Sequence, residues 1–160
     1  MKRKLWLALA ALVMTTATSA QNICLGERIP DMNISSSIGV PVEQITTDYV
    51  CLIFMHTGSA PCVEAVSSFV AAAGMYADLL SVVLLTNEQS DGSRDVLRPF
   101  VRDNVSVAFD RDGRTFENFG IRYVPFVVVY DTKRRKAQWC GTIRQLDKQR
   151  LNALIMQKPQ

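Results

Sequence analysis

Tyr49 to Met55 reads Tyr-Val-Cys-Leu-Ile-Phe-Met, seven residues without a charge or a break. A short, continuous apolar run rich in β-branched and aromatic side chains predicts a strand covered on both faces, as central parallel strands are. Thr57-Gly58-Ser59-Ala60-Pro61 then breaks the run. After it Val63, Val66, Phe69, Val70, Ala73 and Tyr76 recur at helical spacing. Pro61 suits the first helical position, where its missing N–H has no partner to lose. Glu64 is expected in the first turn, against the positive end of the helix dipole. Gly74 weakens the far end.

The same alternation continues. Ser81 to Thr86 predicts a second buried strand, and Asp91 to Arg102 a helix interrupted by Pro99. Val105 to Phe109 is a third strand, and Asp110-Arg-Asp-Gly113 is turn chemistry. Thr115 to Phe119 has room for one or two helical turns. Val124 to Tyr130 and Lys136 to Thr142 form an antiparallel pair across a polar turn, and Gln145 to Met156 closes the chain as a helix. Before all this, residues 21–48 read as an exposed lead-in with a small hairpin around 32–45. The order implies an α/β domain, a mixed central sheet flanked by helices, with an N-terminal hairpin extension.

The length of 160 residues allows one domain. Hydrophobic residues at 48% and charged residues at 21% exclude a disordered or fibrous chain. Lys2-Arg3-Lys4, the apolar run Leu5 to Met14 and the small-residue end Thr18-Ser19-Ala20 have the layout of a secretory signal peptide. The expected organisation is a signal peptide over 1–20, an extension over 21–48 and the main domain over 49–160. The formal net charge of +3 comes from 18 basic and 15 acidic residues, and removing the three leader cations brings it to zero. That balance argues against a nucleic-acid partner, since phosphate affinity needs excess positive charge. No stretch after residue 20 is long and apolar enough to span a membrane. The mature product is expected to be exported and soluble.

Export makes disulfides accessible to Cys24, Cys51, Cys62 and Cys140, in any of three pairings if all four are bridged. A lipid anchor at Cys24 is disfavoured, because Ile23 precedes it where a small residue is needed. Cys51 lies eight strand residues before Ser59, roughly 26 Å at about 3.3 Å each, so it belongs to the other end of the sheet. A bridge from Cys51 to Cys24 stays open. The one histidine, His56, either stabilises a nearby thiolate or makes a local loop hydrogen bond. One histidine and scattered cysteines do not make a zinc site, and neither a metal nor a cofactor is expected. Lys133-Arg-Arg-Lys136 reads as a solvated turn.

The segment Phe54-Met-His-Thr-Gly-Ser-Ala-Pro-Cys62 resembles the Cys-x-Pro-Cys loop of the thioredoxin-like superfamily, most closely its exported TlpA/ResA-like branch of thiol–disulfide oxidoreductases. Gly26-Glu-Arg-Ile-Pro-Asp31 is similar to the opening of that branch. Phe109-Asp-Arg-Asp-Gly113 and Phe119-Gly-Ile-Arg-Tyr-Val-Pro-Phe126 are similar to its later signature. Val127-Val-Val-Tyr-Asp131 and Trp139-Cys-Gly141 are similar to its closing hairpin. The resemblance covers nearly the whole chain after the leader. It implies a thioredoxin-like fold, a cis bond before Pro125 and a substrate groove at Val124 and Pro125. It also implies protein or peptide thiols as partners, an envelope redox partner and a periplasmic or envelope setting.

Ser59 stands where the resembled family carries its nucleophilic cysteine, and only the second position, Cys62, is a thiol. A serine hydroxyl cannot enter thiol–disulfide exchange. Ile53 also replaces the buried acid that thioredoxin carries six residues before that position. Ser59 reads as a helix cap. Cys62 is a buried core thiol, a working thiol or half of a bridge. Cys140 returns towards Pro125 in the resembled fold and is the candidate partner of Cys62. A peroxiredoxin is disfavoured, because Thr57 stands five residues before Cys62 and no proline precedes it correctly. Two functions follow as expectations: an oxidoreductase-family protein with an atypical Ser-x-x-Cys site, weak or inactive as a dithiol reductase, or a redox-silent peptide-binding or chaperone-like module.

Overall fold

A computed structural model describes residues 25–89 and 91–157. The expected signal segment, the question of an anchor at Cys24 and any bridge from Cys24 lie outside the described residues. The described residues form six strands: β1 (Ser36–Ile38), β2 (Tyr49–Phe54), β3 (Leu80–Thr86), β4 (Val105–Phe109), β5 (Phe126–Asp131) and β6 (Lys136–Thr142). Four helices accompany them: α1 (Ala60–Ala73), α2 (Asp91–Leu97), α3 (Arg114–Asn118) and α4 (Lys148–Met156). The strands make one mixed sheet in the order β1-β4-β3-β2-β5-β6. β2, β3 and β4 are parallel, while β1, β5 and β6 each run antiparallel to their neighbours.

The apolar runs explain the layering. Every residue of β2, β3, β4 and β5 is buried, so both sheet faces must be covered. Tyr49, Cys51, Ile53 and Met55 point into one layer with Cys62, Val66 and Phe69 of α1, and Leu151 and Ile155 of α4. Val50, Leu52 and Phe54 point the other way, against Phe116 of α3, Phe119, Ile29 and Val42. Phe54 meets Phe116 edge-to-face with ring centroids 5.1 Å apart. Each large side chain buried in this way contributes about 1.5–3 kcal/mol.

The lead-in differs from the expected hairpin. Its strand β1 pairs with β4, Ser37 opposite Ala108, rather than with its own neighbours. Further upstream, Gly26 N–H donates to Ala137 O at 2.7 Å and Ile29 N–H to Arg135 O at 2.7 Å, laying the chain along β6. The lead-in therefore reaches both edges of the sheet, forming one edge strand, β1, and running beside the other, β6. Its apolar residues Ile29 and Val42 are buried in the α3 layer, which is what ties it down. Short polar strands such as Ser36–Ile38 carry little period of their own, and their partner here is some 70 residues away.

Pro99 ends α2 at Leu97, and the chain goes on as a 3-10 turn over Arg98–Phe100. The last helix starts later than expected, at Lys148, because Ile143–Gln145 first forms a 3-10 turn closed by a reciprocal Thr142–Gln145 cap. Asp147 caps α4 by accepting from Arg150 N–H at 2.8 Å. Gly113 closes the Asp110 turn with φ +71°, a left-handed conformation that favours glycine. The basic turn after β5 is not simply solvated. Asp131, 2% exposed, accepts from the N–H groups of Lys133 (2.8 Å) and Arg134 (3.0 Å). Arg134 Nε lies 3.4 Å from Asp131 Oδ2, and Lys133 Nζ lies 3.3 Å from Asp48 Oδ1.

Candidate functional site

Parallel β2 and β3 send their following loops out of the same end of the sheet, where α/β proteins place their sites. The loop after β2 carries His56, Thr57 and Gly58 into Ser59, which adopts extended backbone (φ −108°, ψ 103°) just before α1. Ser59 Oγ accepts from Cys62 N–H at 3.4 Å, a long cap bond, and Ser59 O accepts from Val63 N–H at 3.0 Å. The helix begins at Ala60, so Pro61 is its second residue rather than its first; neither position needs an intrahelical N–H partner. Glu64 consequently falls in the second turn and does not complement the helix end.

Cys62 is 2% exposed and packs with Met55 and Val66 beneath the loop. Burial pushes its thiol pKa up, the His56 backbone N–H donating to the sulfur opposes this, and the negative charge of Glu88 adds to the rise. At neutral pH the group is therefore a thiol rather than a thiolate.

Two neighbours of this loop escaped the sequence reading. Glu88, just after β3, accepts from Thr57 N–H (2.7 Å), Thr57 Oγ1 (3.1 Å), Gly58 N–H (3.3 Å) and Thr86 Oγ1 (3.0 Å). Burial alone would raise its pKa, but these donors together hold the carboxyl below the ordinary range. A carboxylate does stand beside the site, then, although Ile53 occupies the position read for one. Its oxygens are engaged in fixing the loop. Asn87 is the second: its Oδ1 lies 2.9 Å from His56 Nε2. The His56 ring also stacks on Phe116, centroids 5.9 Å apart. The imidazole thus makes the local loop bond, and it is the backbone of His56 that meets the thiol. The available signal was the parallel β2–β3 register, which brings residues 56–58 to residues 87–88.

The bond between Val124 and Pro125 is cis. Val124, Pro125, Ser59 and Cys62 line one cleft of about 270 Å³ together with Tyr123, Ala65, Ile143 and Arg144. Tyr123 is 48% exposed and stands edge-on to Phe126, centroids 5.4 Å apart. Cys140 does not join this group. It sits opposite Val128 on β6 and packs against the α3 layer, the face of the sheet away from Cys62. The strand alternation that the sequence left open thus separates the two sulfurs. Cys51 lies fully buried in mid-strand on the α1 face, with its pKa pushed far up by burial; of the lead-in, Ile38 packs on that face, while Ile29, Met32, Ile34, Val42 and Ile45 pack on the other. Among the described residues no group of three or more His, Cys, Asp or Glu could hold a metal ion. No described helix is long and apolar enough to cross a membrane.

The six-stranded mixed sheet with its flanking helices and cis Pro125 defines a thioredoxin-like fold. No protein-family model and no curated protein sequence matches the chain. Solved structures do. A thioredoxin-like protein in its oxidised form is 16% identical, with TM-score 0.67, over 84% of this chain and 98% of its own. A Chlorobium tepidum protein described as a thiol:disulfide interchange protein, DsbE, is 22% identical, with TM-score 0.61, over 84% and 96%. StoA from Bacillus subtilis is 16% identical, with TM-score 0.51, over 68% and 86%.

Proposed function

We propose that this chain is an exported thioredoxin-like protein of the thiol–disulfide oxidoreductase type whose Ser59-x-x-Cys62 site runs no dithiol cycle. Protein or peptide segments dock in the cleft at Val124 and Pro125, in the periplasm or cell envelope. The observation that carries this is the head of α1, where a hydroxyl oxygen occupies the outer position and the neighbouring sulfur of Cys62 is buried and held protonated. A thiol–disulfide exchange needs an attacking thiolate and a second thiol to release the mixed disulfide. Cys140 lies on the other sheet face, and Cys51 lies three strand residues, roughly 10 Å, back from the end of β2, so neither is placed to supply the second thiol. The leader-like sequence over residues 1–20 supports export.

The test is Ser59→Cys. The expected result is that the protein as it stands reduces a peptide disulfide no faster than the free dithiothreitol present, while Ser59→Cys raises the rate at least about tenfold. Failure of Ser59→Cys to gain activity would show that the loss extends beyond one atom. That result would favour a second reading, a redox-silent peptide-binding or chaperone-like module, which the open cleft beside Pro125 supports on its own. Differential alkylation supplies the companion measurement. Cys62 should label slowly in the native protein and fully after denaturation.

A further inference from the structure

The cleft beside Cys62 is lined by apolar and neutral side chains with one exception. Arg144 is the only charged residue on its wall. It is exposed, and neither ion pair found among the described residues involves it. The same guanidinium borders an adjoining trough of about 470 Å³ between α1 and the start of α4, which shares Pro61, Ala65 and Ile143 with the cleft. Of the two acids along that trough, Asp147 is engaged in capping α4. Glu64 projects from α1 without a side-chain partner among the described residues.

Val124, which also lines the cleft, points to what the ligand is made of. Val124 makes no backbone hydrogen bond among the described residues, although Phe126 beside it is paired on both sides, with Phe54 and with Thr142. An unpaired main-chain N–H and C=O at the mouth of a cleft suit another main chain lying extended beside them. Tyr123, fixed on Phe126, offers an aromatic surface, and Arg144 adds a cation to the same lining. A guanidinium is the side chain best suited to grip a carboxylate through two parallel hydrogen bonds.

We propose that Arg144 makes this cleft selective for extended peptide segments carrying an acidic side chain beside the residue that lies over Cys62. The proposal rests on the reading of the Val124–Pro125 cleft as a peptide-docking groove and adds to it the chemical class of the segment docked. Arg144 is a specificity-determining residue, since its charge favours one class of peptide over another of the same shape.

Fluorescein-labelled octapeptides of alternating valine and serine, with Glu, Gln or Lys at one central position, test it by fluorescence anisotropy on the full mature chain. The Glu peptide is expected to bind about two- to fivefold more tightly than the Gln peptide, the range of one partly exposed ion pair, with the Lys peptide weakest. The preference should vanish in Arg144→Gln, invert in Arg144→Glu, and shrink as NaCl rises from about 20 to 500 mM. Ala65→Phe, which adds bulk to the cleft lining, should weaken all three peptides alike. If the peptides bind and respond to Ala65→Phe but show no charge preference, the role of Arg144 is overturned and the groove stands. A Glu preference that survives Arg144→Gln also overturns it, because the charge is then read elsewhere. If no peptide binds, or binding ignores Ala65→Phe, the docking reading itself falls. Circular dichroism of Ala65→Phe, with Ala65→Leu as a milder filling, guards against a misfolded variant giving the same result.

Discussion

The two ends of β2 are built on opposite plans. At the Tyr49 end several polar groups are matched to one another, although Arg135 Nε is buried without a hydrogen-bond partner among the described residues. Asp131 takes the N–H groups of the basic turn, Thr132 Oγ1 donates to Thr47 O, and Tyr49 Oη donates to Gln157 O. Two of the four cations of the basic turn, Lys133 and Arg134, are matched by Asp48 and Asp131. At the Phe54 end Glu88 fixes the loop as firmly, but Val124 and Arg144 are left with groups unmatched around an open cleft. The lesson is that polar density does not mark a site. The turn with the most cations is structural, and the cleft with one cation is the candidate binding surface.

Three perturbations would break or sharpen that contrast. The largest effect is expected from Asp131→Ala. It strands two N–H groups and the Arg134 guanidinium, costing about 2–3 kcal/mol in urea denaturation and leaving Cys62 alkylation unchanged. A loss below about 1 kcal/mol would mean that the turn holds itself without the acid. Tyr130, near the same end, comes next. Burial pushes its pKa up to about 12, with Arg135 opposing and Glu43 adding to the rise. An unfolded tyrosine titrates near about 10. The native state holds the proton more tightly, so the stabilisation is complete below the unfolded value and is lost as pH rises through the folded one. Tyr130→Phe should flatten the fall in stability across that window by about 3 kcal/mol at most, and an unchanged alkaline limb would contradict the burial argument.

Glu88→Gln should have the smallest effect on stability, about 1 kcal/mol, because its surroundings are partly open to water. Its readout is at the other end. Removing the negative charge takes away one cause of the raised Cys62 pKa, so the pH midpoint of Cys62 alkylation should move down. Because the Glu88 carboxyl is held below its ordinary range, its share of stability is present above the ordinary glutamate pKa and lost as pH falls through the lowered value. The acid limb of Glu88→Gln should be flatter for that reason. A faster alkylation with an unmoved midpoint would show only a loosened loop.

The buried strands were legible because both of their faces are covered, which writes an unbroken apolar run into the sequence. Ser59 was legible as a cap and Cys62 as a helix-head cysteine, because both follow from spacing within one loop. Glu88 and Asn87 were not, since they reach the site through strand register rather than chain proximity. His56 was assigned to the site through its ring and arrives there through its backbone, a distinction that no residue type encodes. Cys140 was placed near Pro125 by the return of the hairpin. Its side-chain direction depends on a register irregularity between Val129 and Tyr130 that the sequence does not announce. The lead-in was misjudged for the same reason as Glu88: the partners of β1 and of Gly26 to Ile29 are distant in the chain.

The serine at the head of α1 has a consequence for how such a chain can change over generations. Serine and cysteine codons can differ by a single base, and among the described residues the hydroxyl here makes one long bond, to Cys62 N–H. Exchanging it for sulfur would forfeit a cap worth on the order of 0.5–2 kcal/mol and would otherwise disturb little packing. The chain as it stands and its Ser59→Cys variant are thus neighbouring points in sequence space, one mutational step apart.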